Sequence, residues 1–192
     1  MRYVRVSARA PGRTAAEIYP VISDFARYPE LTDAVRSVDI EDLGSGRTGC
    51  SWEVTFRRGI LKWTEEDHYD PENHRVDFSL VTGDLDHLVG HWWMRDEGPD
   101  CRIDFACDFD MGIPTLADVI EPIAAQTLGE YITVILRALV GEIVMIENEP
   151  EDTHRPQETH EPPAVGAPAG GAPAVGAPAV GAPAGGVRRR PS

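Results

Sequence analysis

Up to Asp110 apolar and polar positions mostly alternate, and beyond it apolar positions recur at three and four. A period of two marks half-buried strands, and a period near 3.6 marks an amphipathic helix. Val4, Val6 and Ala8 alternate with Tyr3, Arg5, Ser7 and Arg9, which predicts a first strand ended by Pro11-Gly12. Thr14 followed by Glu17 has the form of a capping box. Ile18, Val21, Ile22 and Phe25 are spaced for one face of a short helix. Tyr28-Pro29-Glu30 is expected to break that helix, because a residue before proline avoids the helical region. A second short helix or turn follows around 31–35.

Strands then dominate. Residues 35–43 read as one, closed by Gly44-Ser45-Gly46. In the next, Cys50, Trp52, Val54 and Phe56 share a face opposite Ser51, Glu53, Thr55 and Arg57. Arg58-Gly59 reads as a tight hairpin with 61–69 as the partner strand. Asp70-Pro71-Glu72-Asn73 turns the chain. Val76, Phe78 and Leu80 mark a further strand, ended by Gly83-Asp84. Leu88, Gly90, Trp92 and Met94 share a face in the following one, with His91 and Trp93 outward. After Glu97-Gly98-Pro99-Asp100, Cys101, Ile103, Phe105, Cys107 and Phe109 face in while Arg102, Asp104, Asp108 and Asp110 face out. Past Gly112-Ile113-Pro114, the spacing of Ile120, Ile123, Leu128, Tyr131, Ile132, Ile135, Leu136 and Leu139 predicts one long helix over 115–146, with Pro122 kinking it or splitting off its first turn.

Short connections between the strands mean an antiparallel sheet. Only the last helix is long enough to cover one of its faces. The predicted fold class is therefore α+β: a curved antiparallel sheet of about seven strands around a long C-terminal helix, with two short helices after the first strand. Such a sheet, gripping one helix, leaves a hollow between them.

Composition divides the chain. From Ala164 it repeats AVGAP and AGGAP with a period of five, and after Glu149 it has no aromatic residue, Ile or Leu. Glycine and proline at that density propagate neither helix nor strand, and too little apolar side chain remains to offset the ordering entropy. Residues 1–147 are thus expected to form a ligand-binding domain, and 148–192 a disordered Pro/Ala/Gly-rich tail. The first part is long enough to bury a core and still leave a cavity.

Charge narrows the partners. The net charge is −14, and residues 1–147 carry 27 acids against 14 bases. A domain so acidic repels phosphate backbones and anionic lipid surfaces, so nucleic acid is not an expected partner. Arg188-Arg189-Arg190 reads as a solvated tail end. Cys50, Cys101 and Cys107 make no disulfide framework, and the last two lie too far apart along one strand to bridge. No run reaches about 18 consecutive apolar residues, and MRYVRVSARAP lacks the apolar segment of a signal peptide, so a cytoplasmic protein is expected. His68, His74, His87 and His91 lack metal-ligand spacing. Nucleophile-elbow and dinucleotide fingerprints are missing too, so neither metal nor cofactor is expected.

The candidate chemistry lies on the strand after the hairpin, where Trp63, Glu65, Asp67 and Tyr69 share a face. If Trp63 points inward, two carboxyls and a phenol point in with it. Neighbouring acids in an apolar pocket push one pKa up, which suits a general acid or base for enolisation and dehydration. The phenol could hydrogen-bond a developing enolate oxygen. Two blander arrangements compete: the opposite face, Ile60, Lys62, Thr64, Glu66 and His68, is the buried one, or Glu65 or Asp67 pairs with Arg57 or Lys62. Trp52, Phe56, Trp63, Phe78, Leu88, Trp92, Phe105 and Phe109 form either a ligand chamber or plain core. Gly90 leaves room for a ligand or marks a bulge. Thr127 and Tyr131 share a face of the long helix and become polar anchors if that face meets the hollow. Trp93, expected to be exposed, is a candidate edge for a dimer or carrier-protein contact.

The segment YPVISDFARYPELTDAVRSVDI resembles the helix-turn opening of the SRPBCC/START-like superfamily, the helix-grip proteins. GDLDHLVGHWWMRDEGPDCRIDFACDFDM resembles the last two strands of its polyketide aromatase/cyclase and coenzyme Q-binding branches. The resemblance spans roughly 1–147 and implies a cavity for a lipid, quinone or polyketide. In aromatase/cyclases it implies folding a poly-β-ketone chain and steering ring closure and dehydration. There the strand after the hairpin sends aromatic, hydroxyl and basic side chains inward at alternate positions, and those positions match Trp63, Glu65, Asp67 and Tyr69. The aromatic is kept at Trp63, and the aromatic of the next-to-last strand matches Trp92. The family's cavity arginine is matched by Tyr69 and a serine by Asp67, so the acid/base equipment departs from the family pattern.

The favoured expectation is a cyclase or aromatase/dehydratase of antibiotic-type polyketide biosynthesis. Glu65 and Asp67 would be acid and base, and Tyr69 a hydrogen-bond donor. The alternative is a non-catalytic carrier for a lipid, quinone or polyketide, although a pure carrier gains nothing from two inward carboxyls. A toxin-like or ribosome-associated module is opposed by the acidic domain. The substrate is expected to be a hydrophobic small molecule, free or on an acyl carrier protein, and the protein a monomer or homodimer.

Overall fold

The computed structural model describes residues 1–45 and 47–146; the tail expected over 148–192 lies outside the described residues. Strand β1 (Arg2–Ala10) leads into helix α1 (Ala15–Ile22) through the expected capping box. The Thr14 N–H donates to Glu17 Oε2 at 2.8 Å, and the Glu17 N–H donates to Thr14 Oγ1 at 3.3 Å. A 3-10 turn (Phe25–Arg27) runs on into α2 (Tyr28–Leu31). Tyr28-Pro29-Glu30, expected as a breaker, is instead the opening of α2. Proline in a first turn forfeits no hydrogen bond there. The Tyr28 hydroxyl donates to Ile22 O at 2.7 Å and ties the two helices together.

Six strands follow as an antiparallel meander: β2 (Val35–Gly44), β3 (Arg47–Phe56), β4 (Gly59–Asp70), β5 (Arg75–Gly83), β6 (His87–Glu97) and β7 (Asp100–Asp110). A 3-10 turn (Pro114–Leu116) then opens helix α3 (Ala117–Val140). The helix is shorter than the expected 115–146. Gly141, at φ +84°, ends it, and Val144–Ile146 becomes β8, paired with Ser7–Arg9. Among the described residues the sheet therefore has eight strands, where about seven were expected, in the order β2-β3-β4-β5-β6-β7-β1-β8. A short apolar run fits either period, so spacing could not separate β8 from the helix. Pro122 lies inside α3, which continues through it.

Helix α3 lays Ala124, Ile132, Ile135 and Leu136 against the concave face of the sheet. With the turn before it, Pro114–Val140 is also long and apolar enough, by composition, to cross a bilayer. The inward strand faces are those expected. On β4, Glu65 and Asp67 are 4% and 0% exposed while Lys62 and His68 are exposed, so the Trp63–Tyr69 face is the buried one.

The opposite face of the sheet holds one surprise. Asp104 points away from the helix, as expected, but is only 2% exposed. It accepts hydrogen bonds from Ser7 Oγ (2.6 Å), Arg95 Nη2 (2.7 Å), Arg102 Nε (2.9 Å) and Arg5 Nη2 (3.1 Å). Burial alone would raise this carboxyl's pKa, but those donors outweigh it and hold the group far below its ordinary range. Beside it, the Arg95 guanidinium lies 4.0 Å from the centre of the Trp93 ring and Arg75 lies 5.6 Å away. Trp93 is thus partly covered by cations from its own sheet rather than left bare for a partner.

Candidate ligand cavity and active site

Between the concave sheet face, α2 and α3 lies a cavity of about 160 Å³. That matches engineered apolar cavities of about 150 Å³ that bind benzene. Strand alternation supplies one wall and the three-and-four spacing of α3 the other. Trp52, Phe56, Trp63, Phe78, Leu88, Trp92, Phe105, Phe109, Thr127 and Tyr131, all expected from the sequence, line it. Trp52 and Trp63 stack at 5.9 Å with a 9° interplanar angle, and Phe78 and Phe105 stack at 5.9 Å. Phe25 and Tyr28, from the helical segment, and Leu85, Met111 and Leu128 also line the cavity. Phe25 was legible as an apolar helix position, but Leu85 sits in a turn and carries no periodic signal.

Gly90 is neither ligand space nor a bulge. It pairs in regular register with Phe78 and Cys107. A Cβ there would lie 2.4 Å from Ala106 O and 2.5 Å from Phe78 Cζ. The glycine lets the Phe78 ring lie flat on the strand. The two helix hydroxyls reach the cavity with their protons already committed. Thr127 Oγ1 donates to Ile123 O at 2.8 Å and Tyr131 Oη donates to Thr55 O at 3.2 Å.

Glu65 is the ionisable carboxyl in the lining. Trp63 Nε1 donates to its Oε2 at 2.7 Å. Burial, and then the charge of Asp67, push the Glu65 pKa up to about 8, against the pull of the Trp63 and Trp52 indoles. At neutral pH Glu65 is therefore mainly a carboxylic acid. One oxygen is fixed by an indole, and the group remains able to donate a proton.

Asp67 and Tyr69 continue the same strand face but do not line the cavity. Asp67 is fully buried, and neither of its oxygens has a hydrogen-bond partner among the described residues. Burial pushes its pKa up to about 6, with partial relief from the neighbouring Cys50 thiol, a weak donor. The Tyr69 ring lies 6.1 Å from that of Phe25, and burial followed by the charge of Asp67 pushes its phenol well up. Burial keeps the Cys50 and Cys107 thiols protonated, Cys107 at about 12. The structural pairing considered for Glu65 or Asp67 is not formed. Lys62 binds Glu53 instead, and Arg57 is exposed at the hairpin tip.

Comparison with known proteins agrees with this architecture. No curated protein matches the chain by sequence. Among solved structures, TTHA0849 from Thermus thermophilus superposes with a TM-score of 0.65 at 22% identity, covering 72% of this chain and 94% of that one. A START superfamily protein from Mycobacterium smegmatis gives 0.61 at 17% identity, over 72% and 96% of the two chains. The Zhui aromatase/cyclase from Streptomyces sp. R1128 gives 0.54 at 18%, over 71% and 94%. These likenesses establish the helix-grip fold. The family model described as "Polyketide cyclase / dehydrase and lipid transport" matches residues 12–133, which is more than half of the sequence. The chain belongs to the polyketide cyclase / dehydrase and lipid transport family.

Proposed function

We propose that this protein is a cyclase/dehydratase that takes the reacting segment of a hydrophobic poly-ketone into the cavity and promotes ring closure with Glu65 as general acid. The observation that carries this reading is a buried carboxyl, hydrogen-bonded by the Trp63 indole, in a chamber walled mainly by apolar side chains, where burial raises its pKa. A pocket built only to hold an apolar molecule has no use for a buried acid, which costs stability.

In the proposed reaction a ketone oxygen accepts the Glu65 proton as an enol carbon attacks that carbonyl. The new C–C bond takes the enol electron pair, and the carbonyl π pair becomes the O–H bond. As the enol oxygen becomes a ketone, its O–H proton passes to the carboxylate left on Glu65, restoring the acid. Dehydration repeats the cycle: Glu65 protonates the departing hydroxyl, and its carboxylate takes the adjacent C–H proton. Asp67 and Tyr69 are positioning residues in this scheme. Burial, and then the charge of Asp67, keep the proton on Glu65, and neither Asp67 nor Tyr69 touches the substrate.

Glu65→Gln tests the reading with a model poly-β-ketone thioester, binding and turnover being measured separately. General acid catalysis contributes on the order of 10²–10⁴-fold. A loss of at least about 100-fold in turnover, with affinity changed less than about threefold, is expected. Undiminished turnover would sink the assignment. A second reading, a non-catalytic carrier, draws support from the internally bonded Thr127 and Tyr131 hydroxyls, which leave few groups to orient a reaction. Binding by the wild-type protein with no turnover of any poly-ketone would favour it.

A further inference from the structure

Several lining residues keep partial exposure: Phe56, Leu61, Trp63, Leu85, Thr127 and Tyr131. They place the cavity mouth between the β3–β4 hairpin, the Leu85 turn and the middle of α3. At the hairpin tip Phe56 pairs with Gly59 across a two-residue turn of Arg57 and Arg58. Both arginines are exposed, and Arg57 is held at φ 56°, a left-handed conformation uncommon for a residue with a side chain.

Among the described residues neither Arg57 nor Arg58 makes an ion pair, whereas Arg9, Arg47, Arg95 and Arg102 all do; Arg27, Arg36 and Arg137 make none either, but each stands alone, while Arg57 and Arg58 are adjacent. Acids around the tip are already engaged. Glu53 binds Lys62, and the Asp84 carboxylate accepts the Lys62 backbone N–H at 2.8 Å. Asp33 and Arg36 flank Ala34, whose carbonyl accepts the Thr55 N–H, so that side adds one charge of each sign. On a chain of net charge −14, two adjacent uncompensated arginines at the mouth of an apolar cavity are an electrostatic exception.

We infer that the cavity takes an amphiphile, with an apolar body inside and an oxyanion at its trailing end held at the mouth by Arg57 and Arg58. The inference rests on the cavity being a ligand site and adds the charge and direction of the ligand. Guanidinium forks match carboxylate and phosphate oxygens in pairs. A carboxylate terminus and a phosphate-bearing arm share this chemistry. Exposed charge contacts are modest, so the two arginines together should contribute roughly tenfold in affinity.

The neutral fluorophore N-phenyl-1-naphthylamine reports cavity occupancy, and decanol, decanoate and decyl phosphate compete with it. Arg57→Gly with Arg58→Ala keeps the left-handed turn relaxed and removes both charges. This variant should weaken decanoate or decyl phosphate about tenfold and leave decanol unchanged. Whichever anion loses more identifies the terminus. Arg57→Lys with Arg58→Lys should restore most of the anion affinity. Arg137→Ala, at an exposed arginine in the last turn of α3, should alter none of the three. If the fluorophore fails to enter the wild-type protein, the cavity reading itself falls. If it enters and the double variant weakens the anions no more than decanol, the cavity stands and the anionic ligand is overturned.

Discussion

Replacing Glu65 by glutamine should change how the stability of the fold depends on pH. Glutamine keeps the shape and still accepts the Trp63 N–H, but removes the titrating proton. An unfolded glutamate ionises near 4.5, whereas Glu65 in the folded protein ionises at about 8. Because the folded value is the higher one, the unfolded chain releases a proton that the native state retains. Stability is therefore lost as pH rises from about 4.5 to about 8, and the loss is complete above that window. Each pH unit inside the window costs roughly 1.4 kcal/mol. Between pH of about 5.5 and about 8.5 the wild-type protein should lose on the order of 3 kcal/mol relative to Glu65→Gln. With a urea m-value of about 2 kcal/mol per molar, the gap between the two midpoints should widen by about 1.5 M. Urea titrations at both pH values, followed by tryptophan fluorescence, measure that gap directly. Groups distant from Glu65 titrate alike in both proteins and cancel in the difference. A gap constant to within about 0.3 M would mean that Glu65 titrates as a solvated carboxylate, and the buried-acid reasoning would fail.

Two further substitutions probe the frame that holds this acid. Gly90→Ala places a methyl 2.4 Å from Ala106 O and 2.5 Å from Phe78 Cζ, and a paired strand backbone cannot yield. It should cost at least about 2 kcal/mol and lower the melting temperature by about 5 °C or more; a melt within about 2 °C of wild type contradicts the packing argument. Asp104→Asn leaves Arg5, Arg95 and Arg102 around a neutral amide and should cost about 3 kcal/mol in urea unfolding at neutral pH. The folded pKa of Asp104 lies below its ordinary 3.8, so its contribution is present above that value and fades as pH falls through the folded one. The gap between variant and wild type should accordingly narrow in acid, and a loss under about 1 kcal/mol at neutral pH would refute the role given to the cluster.

Much of this protein was legible before any fold was built. The period of two from Val4 to Phe109 set the strands and their inward faces, because a pleated strand sends successive side chains to opposite sides. It thereby named eight residues that line the cavity, to which the helical spacing added Thr127 and Tyr131, and put Glu65, Asp67 and Tyr69 on one face with Trp63. The Thr14–Glu17 cap was likewise a local matter, closed within a single turn.

Tertiary structure decided the rest. Whether 144–146 extends a helix or adds a strand depended on the free edge of β1, which local spacing cannot sense. Asp104 read as solvent-facing because alternation tells the face of a sheet but not what lies on it; three arginines from three strands bury it. Glu65, Asp67 and Tyr69 looked equivalent in sequence, yet only Glu65 reaches the cavity. Their common face follows from backbone geometry, which the sequence pattern reports. The division between an acid that lines the cavity and one buried behind it depends on how α2 and α3 close over the sheet, and that is set by contacts between residues far apart in the chain.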